Sequence, residues 1–319
     1  MSKKSFYTAF AITFFAAFSV RAQQDPLFTH YMFNNMYLTP AFAGVDGVTR
    51  FSAVHRSQWL GYQPSFGGGG APVSQLVSFN TPIFKLHSGF GTYIMNDVSG
   101  PLNNLEAQAM YAYHLGIKDN KLSIGIKAGI FSQTLDFDLY RAVQPDDPLL
   151  NGKSGKESQV RPDLGFGVFY RSEKYYAGVG FNHLLKSEFD FGTSNRAALE
   201  NHVNFTGGYY YDMSFDLTLL FTTWVKTDLN ETSVDLSGLA FYKNTMWGGL
   251  SFRQSEAVSL LLGYSLLKDK SLKLGYSMDY VVKDQAAKQP TSHEFIVSYD
   301  LPVSPGTSKK IVRTPRYRH

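Results

Sequence analysis

The chain has 319 residues, no cysteine, a net charge of +4, and 15% aromatic against only 18% charged residues. Soluble proteins usually carry about 25% charged residues, so this composition belongs to a chain with much of its surface away from water. Without thiols, a disulfide scaffold is excluded and a structural zinc site is not expected.

The chain opens as a secretion signal. Lys3 and Lys4 precede the apolar run Phe6–Val20, and Val20-Arg21-Ala22 supplies a cleavage site after Ala22. The run is short for a span, which needs ~20 apolar residues. Residues 1–22 therefore read as a signal peptide, and 23–47 as a periplasmic or lumenal segment. That segment is rich in aromatics, Asn and Pro, too apolar for a solvated linker. Leu27, Tyr31 and Asn34 or Asn35 share helical spacing, which predicts a short helix packed in a lumen or against its mouth.

Residues 48–301 read as a relay of about fourteen antiparallel strands, near 48–60, 72–84, 88–97, 103–115, 121–134, 162–171, 174–183, 201–212, 215–227, 232–243, 245–254, 256–267, 270–280 and 291–301. In 270–280, Leu272, Leu274, Tyr276, Met278 and Tyr280 alternate with Ser271, Lys273, Gly275, Ser277 and Asp279. Period 2 is the signature of a strand with two chemically different faces. The strands suit a tilted membrane crossing of ~9–11 residues better than a soluble mode of ~5–6. Each averages an oily face with a polar one, which keeps the mean hydropathy at −0.18.

The connections give a second test. Every connection longer than about five residues is odd-numbered, as in an outer-membrane barrel with short periplasmic turns and longer outside loops. A soluble sandwich would explain the alternation but not this parity. The fold class is therefore an all-β transmembrane barrel of the outer membrane, with both termini periplasmic. Glu106, Gln108, Lys127, Asp216, Lys226, Asp235 and Lys273 are expected to face its lumen.

The tail 302–319 carries five cations and no acid. With the three signal cations also set aside, the rest of the chain is net −4. The basic charge is thus local, and suits anionic lipid headgroups or an acidic protein surface rather than nucleic acid.

Enzyme signatures are missing: there is no Gly-x-Ser-x-Gly elbow, no His-Glu-x-x-His and no P-loop. The eight histidines are scattered, with no pair at metal-ligand spacing, so no cofactor is expected. His183 and His202 fall near the outer ends of neighbouring strands, where a rim hydrolase would place a base. The bland reading of each, an interface residue, weighs more.

Gln24-Asp25-Pro26-Leu-Phe28-Thr-His-Tyr31-Met-Phe33-Asn34, followed by Tyr37-Leu-Thr-Pro40-Ala-Phe-Ala-Gly44, resembles the N-terminal signature of the PorP/SprF family of type IX secretion outer-membrane proteins in Bacteroidetes. Arg56-Ser-Gln58-Trp59 resembles the family's Arg-x-Gln-Trp element. Gly91-Thr-Tyr-Ile94-Met-Asn96-Asp97-Val-Ser-Gly100-Pro101 resembles its second hairpin motif. Asn35-Met36 departs from the expected Pro-Leu pair. The resemblance implies a non-enzymatic part of the secretion and gliding machinery. Its partner would be a secreted adhesin or its C-terminal sorting domain, with the translocon or the periplasmic ring and motor components of the same system as a further expectation. A porin-like channel for small solutes is the remaining alternative. The expected partner surface comprises Asp25, Pro26, Phe28, Tyr31, Phe33, Asn34, Tyr37, Pro40, Arg56 and Trp59. The outer loops 136–160 and 185–199 join it, and Arg313, Arg316 and Arg318 form the basic tail.

Overall fold

The computed structural model describes residues 25–63, 69–140, 150, 152–192, 197–254, 256–283 and 288–301. The strands are β1 (Arg50–Ser57), β2 (Val73–Ile83), β3 (Ser88–Ser99), β4 (Leu102–Ile117), β5 (Asn120–Asp136), β6 (Lys156–Arg171), β7 (Tyr175–Asn182), β8 (Glu188–Phe189), β9 (Ala197–Ala198), β10 (His202–Asp212), β11 (Leu217–Thr227), β12 (Thr232–Tyr242), β13 (Met246–Arg253), β14 (Ala257–Leu266), β15 (Leu272–Val281) and β16 (Thr291–Asp300). All but β8 and β9 join one closed antiparallel barrel of fourteen strands. It closes where β1 pairs with β16, Arg50 opposite Asp300 and Arg56 opposite Glu294. Closure gives each barrel strand a neighbour on both sides, as a hydrocarbon surrounding demands.

Alternation sets the two faces. On β4, Leu105, Tyr111, Tyr113 and Leu115 point outward and Asn104, Glu106, Gln108, Met110 and Ala112 point inward. Outward side chains elsewhere are Ile94, Ile126, Phe221, Leu250, Leu262 and Phe295. Tyr111, Tyr113, Tyr175, Tyr209, Tyr211, Tyr242 and Tyr264 are exposed toward the short-turn end, a belt of the kind found where a barrel meets the headgroups. Among the described residues, no helix is long and apolar enough to cross a membrane.

The parity of the connections holds. Those following β2, β4, β6, β10, β12 and β14 are short; the long ones, after β1, β5, β7 and β15, all emerge at the opposite mouth. Two expectations about this end need correction. Strand β6 begins at Lys156, not near 162. Pro162 marks a break in the sequence, but it pairs only with Ile130 of β5, because β7 meets β6 only from Phe166 onward. No ladder bond is lost, and proline is tolerated at such an edge. The connection 184–200 is not all loop: β8 and β9 form a small hairpin.

The N-terminal segment lies inside the barrel. It is not one helix, as its spacing predicts, but three short turns. Tyr31–Phe33 is a 3-10 turn, α1 (Asn35–Leu38) is a single helical turn, and Pro40–Phe42 is a second 3-10 turn opened by its proline. Thr39 stays extended between the last two, since the residue before proline is pushed from the helical region. Phe28, Tyr31, Met36, Tyr37, Leu38 and Phe42 are buried, each worth roughly 1.5–3 kcal/mol in transfer free energy. They pack on wall residues Tyr93, Met110, Phe169, Tyr176, Trp224 and Trp247.

The first and last described residues, Asp25 and Leu301, lie at opposite mouths of the barrel, while both chain termini, expected in the periplasm, fall outside the described residues. Asp25 meets His202, the first residue of β10, at the long-loop end. Asp46 meets Arg50 at the short-turn end, where the Leu301 amide donates to the Thr49 carbonyl. An internal plug threaded from one mouth to the other produces this arrangement. The signal and the basic tail with Arg313, Arg316 and Arg318 fall outside the described residues.

Candidate functional site

The plug is received by glycines. A Cβ at Gly180 would overlap the Leu38 carbonyl oxygen, one at Gly125 the Ala41 backbone, and one at Gly89 the Ala43 carbonyl. These positions stand on β7, β5 and β3. They turn one side of the barrel into a smooth bed on which backbone lies against backbone. Thr39 is held there by its hydroxyl, which donates to the Val179 carbonyl at 3.0 Å.

Near the long-loop end, charge replaces apolar packing. Register brings a polar or charged side chain from nearly every strand to one level. Lys226 stands on β11, Asp235 on β12, Arg253 on β13, Asp279 on β15, Glu294 on β16, Arg56 on β1, Glu106 on β4, Lys127 on β5 and Asp163 on β6. All are 2% exposed or less. Buried charges persist when they are paired, and each of these has an ionic partner. Arg56 lies 2.7 Å from Asp279 and 3.2 Å from Glu294. Arg253 donates to Asp235 at 2.9 Å. Lys127 bridges the Tyr93 hydroxyl at 2.8 Å and Glu106 at 3.2 Å.

The plug completes this belt at two places. Glu294 accepts the backbone N–H groups of Thr29 and His30, both at 2.8 Å, and lies 2.8 Å from His30 Nδ1. Thr29 Oγ1 accepts from Arg56 at 2.9 Å and donates to Asp279. Across the lumen, Asp25 lies 2.6 Å from His202 Nδ1 and 3.1 Å from His183 Nε2. The Asp25 carbonyl accepts from Lys226 at 2.8 Å. Above it, Phe131, Phe137, Phe189, Phe191 and Leu199 form a separate apolar cluster contributed by β5 and the long connections.

The expected partner surface is thus mostly interior. Asp25, Pro26, Phe28, Tyr31, Asn34, Tyr37, Pro40 and Arg56 are buried, and Phe33 is half-buried against Trp247 at 5.2 Å between ring centres. In this arrangement they face the wall. Trp59 alone of the described set stands at the rim, half-buried, with a left-handed φ of 48° and Lys288 5.4 Å from its ring centre. Of the expected lumen residues, Glu106, Gln108, Lys127, Lys226 and Asp235 are inside, and Lys273 binds Asp300 at 2.8 Å near the short-turn mouth. Asp216 is not: it sits in the turn before β11, half-exposed, 3.8 Å from Lys243. It lies one residue before β11 begins at Leu217.

What the sequence does not reveal is the meeting of Asp25 with His183 and His202. The partners lie 158 and 177 residues apart. Only the register of β7 on β10, His202 opposite Asn182, brings the imidazoles together.

What can this lumen pass? Between plug and wall, the space lined by Phe33, Asn34, Met36, Arg50, Ser52 and Asn80 is about 10 Å³, room for a single water. The plug is held by charge at one end and by glycine-bedded packing at the other.

Among solved structures, the toluene transporter TbuX of Ralstonia pickettii is similar over 83% of this chain and 92% of its own, at 12% identity and a TM-score of 0.50. The toluene transporter TodX of Pseudomonas putida covers 83% and 93% at 11% identity and 0.48. The outer membrane protein Omp33 of Acinetobacter baumannii covers 79% and 98% at 6% and 0.45. At 12% identity the likeness to TbuX shows fold alone, that of an outer-membrane barrel. No curated protein matches the chain. The family described as type IX secretion system membrane protein PorP/SprF matches residues 20–299. With nearly the whole barrel and its plug inside that match, the chain belongs to the PorP/SprF family and is an outer-membrane barrel of type IX secretion.

Proposed function

We propose that the barrel is a platform rather than a pore: a non-enzymatic component that binds a secreted adhesin, or its C-terminal sorting domain, and anchors it at the outer membrane. The observation that carries this reading is the filled lumen. A chain that commits residues 25–47 to closing its own channel keeps its rim for contacts.

The rim has one-sided relief that suits docking. Strands β4, β5 and β6 have 16, 17 and 16 residues, against 8 in β1, β7 and β13. At a rise of ~3.3 Å per residue, this lifts one lip well above the other. The long connections after β5 and β7 crown that lip, and Trp59 stands on the lower one. With these loops outside, the short turns and the basic tail face the periplasm, where Arg313, Arg316 and Arg318 meet ring or translocon components or anionic headgroups.

Two experiments test the reading. Replacing 137–155 by a short Gly-Ser turn, in a barrel whose heat-modifiable gel mobility is unchanged, is expected to abolish capture of a purified sorting domain; undiminished capture contradicts it. Replacing Arg313, Arg316 and Arg318 by Gln is expected to weaken recovery of periplasmic machinery, while equal recovery leaves the tail without that role.

A further inference from the structure

We propose that Asp25, His183 and His202 form a buried site for one divalent transition-metal ion, zinc by preference, that fastens the plug to the barrel wall. The three residues come from three separate elements: the start of the plug, the end of β7 and the start of β10. Their candidate ligand atoms all lie within 4.8 Å of one another. All three side chains are buried, the two imidazoles to 1% exposure.

The surroundings have the features of a metal site. Metal-bound histidines almost always give their second ring nitrogen to a carboxylate, which fixes the ring. His183 is placed for this: Nε2 points at Asp25, while Nδ1 lies 3.2 Å from an Asp163 carboxylate oxygen. Asp163 is itself held by the Gln108 amide at 2.7 Å. Two states satisfy both sides of the ring: an imidazolium donating from both nitrogens, or a metal on Nε2 with the proton on Nδ1; metal titration separates the two.

Charge points the same way. Asp25, Glu106 and Asp163 outnumber Lys127 and Lys226 here, so the pocket favours a cation. Lys226 is the residue that would oppose one, but it donates to the Asp25 carbonyl at 2.8 Å and lies 3.7 Å from the nearer carboxylate oxygen. Two imidazoles and one carboxylate are a donor set for zinc and its first-row neighbours, not for calcium or magnesium, which take oxygen. Three protein ligands leave the fourth position of a tetrahedron to water.

The consequence is a plug tied down at Asp25, its first described residue. The test uses the full-length untagged barrel in detergent, stripped with chelator and titrated with Zn(II) or Co(II). The expected result is one equivalent per chain, visible d–d bands for Co(II), and a thermal midpoint that rises with Zn(II) and falls again with chelator. His202→Ala and Asp25→Asn are expected to lose the bands. Asp163→Asn, which removes only the carboxylate that orients His183, is expected to weaken Zn(II) roughly 10–100-fold. His293→Ala, whose imidazole stacks on Tyr276 elsewhere, should bind as wild type does. Absence of binding by the wild-type barrel overturns the proposal, even if no variant folds. So does equal binding by His202→Ala and Asp25→Asn, which would place the ion elsewhere.

Discussion

At the residue scale, Glu294 and Gly180 hold the plug by opposite means. Glu294 gathers two plug amides, the His30 ring and Arg56 on one carboxylate. Truncating it leaves buried donors and an unpaired guanidinium. Breaking a buried charged pair this way costs about 3–5 kcal/mol, so Glu294→Ala is expected to lower the urea midpoint of the barrel markedly. An unshifted midpoint would mean the plug is not held there. Gly180 works by having no side chain. Gly180→Ala drives a methyl into the Leu38 carbonyl, an overpacking worth typically about 1–3 kcal/mol. Gly116→Ala, which meets open space, serves as its control and should be close to neutral. The glycine-aromatic pattern that includes Gly178 and Gly180 is visible in the sequence. Its reason is not, because the backbone it accommodates lies some 140 residues away, as the bond from Thr39 to Val179 records.

At the element scale, the strands were legible and the plug only half so. Period 2 is a local property, so Leu272 through Tyr280 declares its faces with no knowledge of neighbours. Strand β6 begins at Lys156 where the sequence pattern places it near 162, and Pro162 is tolerated there because β7 meets β6 only from Phe166 onward. The plug's apolar character excludes a solvated linker but leaves lumen and mouth both open, and its three-turn path depends on which wall it meets. A chain without cysteine makes that path testable with single introduced thiols. Met36→Cys, at 3% exposure, is expected to resist maleimide until the barrel unfolds, whereas Leu229→Cys, at 82%, should react at once. Rapid labelling at position 36 would mean the plug leaves the lumen. The same chemistry reports orientation. In intact cells an impermeant maleimide should label Leu229→Cys in the connection after β11 and spare Asp119→Cys in the turn after β4. The reverse pattern would invert the barrel.

At the scale of the whole molecule, a barrel fold shared with the toluene transporter TbuX is filled from within by its own N-terminal segment. The buried charge belt and the glycine bed are both costly to build, and each makes sense only around an occupied lumen. Their components were scattered through the sequence as isolated acids, histidines and small residues. Closing the fourteen strands in register assembles them, with Arg56 set against Glu294 across the β1–β16 seam. The most direct test of this account is conductance of the full-length protein in planar bilayers. A plugged platform predicts no stable, ohmic single-channel steps under moderate voltage and salt. Steady open channels with reproducible unit conductance would contradict it and return the barrel to the class of pores.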